Sequence, residues 1–143
     1  MARTFWEEAY RIGIDEIDNE HMELGALMAR FQQALDDRED KAVIGSVYRN
    51  LREKMVAHFN HEEQILQRID YPEEDVKAHI DGHLDVLYTF DHEFSKWEKA
   101  PDDTPIPGEL SHVCVWAITE LLTADMQVKD HLSRSRPGKA SLD

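Results

Sequence analysis

The stretch "HFNHEE", residues 58–63, sets His58 and Glu62 four positions apart inside a long helical pattern. That spacing leaves them about 40° apart around a helix axis, on a face that is otherwise apolar. His21 falls between Ile17 and Leu24 on another apolar stripe, and His79 and His83 repeat the four-residue spacing. Asp125 and Asp130, at i and i+5, stand near one face of a fourth segment. Each group alone has an ordinary explanation: a hydrogen-bonded core imidazole, an i,i+4 helix pair, two surface acids. His79–His83 is the strongest local signal, because two imidazoles one turn apart form a common chelate. It is the convergence of four imidazoles and three carboxylates from every helical segment that points to a buried metal centre, since buried charges must be paired or coordinate a cation.

The donor types narrow the metal. Imidazole with carboxylate suits iron, manganese or zinc, and no thiolate is placed to favour copper(I) or an iron–sulfur cluster. Seven donors exceed the needs of one tetrahedral zinc. Two ions sharing bridging carboxylates can use all seven and keep an open position, so a di-iron centre is the natural reading.

Four helices must position these residues. Ile14, Ile17, Leu24, Leu27, Phe31 and Leu35 step by three and four and predict a helix over about 18–37. Val47, Leu51, Met55, Phe59, Ile65 and Ile69 predict a second over about 41–69. "DYPEED" interrupts, with Pro72 suited to the first turn of a third helix that ends near 99. "APDDTPIPG" holds three of the five prolines, and a fourth helix follows over about 109–133. The expected fold is all-α: an up-down-up-down four-helix bundle with an N-terminal arm, one domain over residues 1–133, and a polar tail or linker over 134–143. At 143 residues the chain can bury a sizeable core. A net charge of −14 disfavours nucleic acid and anionic membranes as partners. One cysteine, Cys114, allows no internal disulfide and fits a reducing cytoplasm. The N-terminus lacks a signal-peptide core, and no apolar run reaches the length of a membrane span.

Two stretches together resemble the hemerythrin family, and its bacterial members most. "FWEEAYRIGIDEIDNEHMEL" is similar to the family's Trp-containing arm leading into its first ligand histidine, here His21. "HFNHEEQILQRIDYPEEDVKAHIDGHLDVLYTF" is similar to its central motif: a His and a Glu, a Tyr-Pro joint, then two His one turn apart. The resemblance implies that His21 and His58 bind one iron and His79 and His83 the other. It makes Glu62 one bridge and Asp130 the second, around two non-heme irons joined by an oxo or hydroxo group. The family's last motif is a Trp, a His four residues later, an apolar residue, three more residues and the bridging Asp. Aligned on Asp130, with Leu122 and Met126 as apolar partners, Asp125 stands in place of the fifth histidine and Leu121 in place of the Trp. Asp125 then either ligates, directly or through water, or stays out while solvent completes the iron.

The resemblance also places the O2 site at the iron held by His21 and His58, with Leu24, Phe59, Leu122 and Met126 as candidate walls of an apolar pocket. An anionic donor in place of an imidazole would stabilise the ferric ion, a property suited to a sensor of O2 or redox state rather than a carrier. The expected function is therefore a non-enzymatic di-iron module binding O2 or another small diatomic or anionic ligand. It would serve as the input domain of a larger signalling protein whose output domain is absent from this chain. O2 storage and a di-iron peroxide-reducing enzyme are the alternatives.

Overall fold

The computed structural model describes residues 11–135. Trp6 and most of the polar tail lie outside the described residues. Four helices follow in order: α1 (Asp15–Asp36), α2 (Lys41–Arg68), α3 (Glu73–Lys99) and α4 (Gly108–Ser135). Each packs on its neighbours in sequence, and α4 closes against α1. The chain is an all-α four-helix bundle, and its boundaries agree with the apolar periodicity to within about three residues.

The joints are set by local chemistry. After α2, Asp70 adopts a left-handed φ of 55°, a conformation Asp tolerates better than most residues. The turn lets the Tyr71 amide donate to the Leu66 carbonyl at 3.0 Å, closing the helix end. Pro72 precedes α3, and its carbonyl accepts from the Val76 amide at 2.9 Å. The α3–α4 connection is pinned from both sides. Trp97 Nε1 donates to the Thr104 carbonyl at 3.2 Å, and Lys41 Nζ donates to the Ala100 carbonyl at 2.8 Å.

The end of the arm is fastened by one buried carboxylate. Asp18 accepts from the amides of Ile12 (2.8 Å) and Gly13 (3.2 Å), and Arg11 lies 3.7 Å from it. Gly13 holds a φ of 95°, open to glycine without a Cβ penalty. This turn drives Ile12 and Ile14 into the interior.

The core is divided. A large cluster fills one end, with Phe31, Tyr48, Phe90, Phe94 and Trp97 among its members. A smaller one fills the other, built on Ile12, Ile14, Ile17, Ile65, Leu66, Tyr71, Val76 and Val128. Along every helix the inward polar residues stand between the two. In α1, His21 separates Ile17 from Leu24; in α2, Glu62 separates Phe59 from Ile65; in α3, His79 and His83 separate Val76 from Val86; in α4, Asp125 separates Ala117 from Val128. A polar layer therefore crosses the bundle between two apolar ends.

Candidate metal centre

That layer holds His21, His58, Glu62, His79, His83 and Asp125, all buried. It is organised around the two oxygens of Glu62, itself 2% exposed. Glu62 Oε2 lies 3.1 Å from His58 Nε2 and 3.5 Å from His21 Nε2. Glu62 Oε1 is in close contact with His79 Nε2 and lies 3.2 Å from His83 Nε2. The Asp125 carboxylate spans the same two halves, with Oδ2 2.8 Å from His21 Nε2 and Oδ1 3.5 Å from His79 Nε2. Two triads result, His21–His58–Glu62 and Glu62–His79–His83, with one donor atom per residue and all within 4.8 Å of one another.

The outer nitrogens decide what the inner ones can be. His58 Nδ1 faces Glu20 Oε1 at 2.7 Å, and His83 Nδ1 faces Glu63 Oε2 at 3.3 Å. A neutral imidazole that donates Nδ1–H outward presents a bare lone pair at Nε2. Those lone pairs then point at the Glu62 carboxylate, an arrangement that repels unless a cation sits among them. Glu62 Oε2, buried, has no hydrogen-bond partner of proper geometry. The residues present thus fit a metal pair, with outward carboxylates fixing the tautomer of the inward ligands. Glu20 also accepts from His61 Nδ1 at 2.7 Å, and His61 Nε2 reaches Glu16 at 3.1 Å, so His61 belongs to the flank that supports His58.

Without a metal, protons take that place. Burial alone would lower the pKa of His21, but hydrogen bonds to Asp125 and Glu62 outweigh it and push it up to about 10. His58 and His79 are raised in the same way, against burial, chiefly by Glu62. Glu62 itself is held well below the usual carboxylate range, because four histidines overcome its burial. Asp125 moves the other way, raised by burial and by the nearby charge of Glu62.

A cavity of about 30 Å³ opens beside this cluster. Leu24, Phe59 and Leu122 line it as the sequence suggested; Met126 does not, and Gly25, Ile118 and Leu121 take part instead. Met126 is displaced because it lies about 100° around α4 from Asp125, which faces inward. Phe59 stacks flat on the His83 ring, centroids 3.9 Å apart.

Residues 12–132 match the hemerythrin HHE cation binding domain. The chain belongs to the hemerythrin family. A bacteriohemerythrin of Stenotrophomonas maltophilia (strain R551-3) is 28% identical over 72 residues, which is 50% of this chain and 46% of that protein. The chain therefore matches less than half the length of this curated relative. No solved structure matches it. Membership makes this a cation-binding domain of a family that binds O2 at non-heme iron.

Within the hemerythrin pattern, one expectation needs correction. Asp130 is exposed and makes no contact with the cluster, whereas Asp125 is 3% exposed and touches both halves. Val128, fully buried three positions after Asp125, shares the inward face with it. The family's last motif fits five residues earlier than the alignment on Asp130 suggests. Trp116 matches its Trp, Glu120 stands where the histidine belongs, Leu121 matches the apolar residue and Asp125 matches the final Asp. Glu120 is exposed. Among the described residues, α4 sends no fifth imidazole inward; the chain has lost a neutral donor there rather than gained an anionic one. The partly buried Trp116, packed against the large cluster, was the missed signal.

Proposed function

We propose that this hemerythrin domain is a non-enzymatic di-iron module that binds O2 or another small diatomic or anionic ligand; the expectation of a sensor rested on an added anionic donor, which Asp125 as a shared carboxylate does not supply. The observation that carries the reading is the pairing of two imidazoles with each oxygen of Glu62. Two cations, each held by one histidine pair, would share Glu62 and Asp125, and the carboxylate charge would compensate them in a dry layer. When bound, the iron pair supplies redox chemistry and open coordination positions. The protein contributes orientation through Glu20 and Glu63, and it excludes water with Leu24, Phe59 and Leu122. Its cavity carries no acid or base apart from the donor residues themselves, which favours ligand binding over turnover.

The test is metal analysis followed by anaerobic reduction and stepwise addition of O2 under optical observation. Two irons per chain and a change of the optical spectrum on adding O2 are expected. A single tightly held zinc that iron cannot replace would overturn the di-iron reading. An O2-bound spectrum that persists and reverses on removing O2 would mark a carrier, and fast bleaching to the diferric state a sensor of O2 or redox state. Steady consumption of added peroxide would make it an enzyme.

A further inference from the structure

The sequence resemblance assigns small ligands to the half of the centre held by His21 and His58. The cavity does not respect that boundary. It touches His21 and His58 of one half, His83 of the other, and both carboxylates that join them. We infer that one small linear anion or diatomic molecule occupies this cavity in contact with both halves at once, rather than ending on one. The inference rests on the di-metal reading above and deepens it.

Three features lead there. α4 gives the cavity only Ile118, Leu121 and Leu122 besides Asp125. Leu121 lies one turn before Asp125 on the same face of the helix. It closes that side of the cavity with carbon, and Glu120, where the family pattern has its histidine, is exposed, so α4 sends no nitrogen inward. Each half is then left with two imidazole nitrogens and one oxygen from each carboxylate, an equal and incomplete set. Next, the remaining wall is apolar and offers no donor to the far end of a ligand. A negative end buried without a partner is costly, and the second cation is the partner available. Finally, about 30 Å³ is room for one ligand of a few atoms and not for two.

Azide is the probe, added to the full chain loaded with two ferric ions, with metal content measured beforehand. The expected stoichiometry is one azide per iron pair. Azide labelled with nitrogen-15 at one end then reports the binding mode through its antisymmetric stretch in the infrared. An anion shared evenly gives a single band, because its two orientations are equivalent; an anion ending on one ion gives two. The native protein should give one. Leu121→His, which puts an imidazole into the cavity wall, should split the band and weaken azide at least about tenfold, the scale of one lost charge contact. A split band in the native protein, two azides per pair, or no azide binding to fully loaded protein would each overturn the inference, with no recourse to the variant. A chain that fails to hold two irons would instead overturn the di-iron reading beneath it.

Discussion

Asp125→Asn and Asp130→Asn separate the two possible roles of α4. Both changes are nearly isosteric and remove one negative charge. Asp125 lies 2.8 Å from His21 Nε2 and 3.5 Å from His79 Nε2, so its charge acts on both halves of the centre. Two unit charges about 4 Å apart interact by about 4 kcal/mol at an effective dielectric constant near 20. At 1.4 kcal/mol per tenfold, that is about three orders of magnitude in affinity. The asparagine oxygen remains a weak donor and recovers part of it. Metal retention in Asp125→Asn should therefore fall by about 10²- to 10³-fold. Asp130, exposed on the opposite side of the helix, should change retention by less than about threefold, as expected of a screened surface charge. The assay is iron content after dialysis against a graded series of chelator concentrations, with circular dichroism to show that both variants remain helical. If Asp130→Asn loses its iron while Asp125→Asn keeps it, Asp130 and not Asp125 faces the centre from α4.

Removing metal should lower the melting temperature by about 10 °C. Metal at a hundredfold excess over its dissociation constant adds about 2.7 kcal/mol to the native state, and a chain of this size shifts by a few degrees per kcal/mol; equal melting of both forms would contradict it. The metal-free protein should lose stability as pH rises. His21 has a folded pKa of about 10 against an ordinary histidine value of 6.5, so its contribution is complete below about 6.5 and disappears as pH climbs through 10. Thermal melts of the metal-free protein at pH 6 and pH 9 would show this, and greater stability at pH 9 would refute it. Glu20→Ala removes the acceptor that orients His58 and should weaken iron binding about 10- to 100-fold, read by the same chelator series; unchanged retention would show that Glu20 does not set that tautomer.

The fold was legible because its signals are redundant. Apolar steps of three and four mark every helix, and Pro72 and the prolines between residues 101 and 107 fall at joints. Six of the seven expected donors meet in the structure, and four of them form the pairs His58–Glu62 and His79–His83, which share a face at i,i+4 whatever the helix packs against. Asp125 and Asp130 lack that protection. At i,i+5 only the true inward face decides between them, and an alignment anchored on the wrong aspartate inverts the answer. Glu20 and Glu63 were not legible at all. They precede His21 and follow Glu62 directly in the chain, and they matter only because α1 lies on α2 and α2 on α3. Sequence spacing carries no record of that proximity.

The division of the core has a mechanical consequence. The smaller apolar end gathers Ile12 and Ile14 from the arm, Tyr71 from the α2–α3 turn, and Val128 and Leu132 from the last turns of α4. Among the described residues it buries less carbon than the aromatic end, so its local opening costs less free energy. Between the two ends lies a layer whose internal repulsions depend on what charge fills it. A tightly held layer couples the ends into one cooperative unit; a loosened layer releases the smaller end to open alone. Amide hydrogen exchange at residues 12–18 and 126–132 should thus follow the charge state of the centre, while exchange around Phe31 and Phe90 stays slow. Uniform exchange at both ends in every state would contradict this. The domain would then act as a clasp on the stretches of chain that enter the bundle and leave it, gripping or freeing both together.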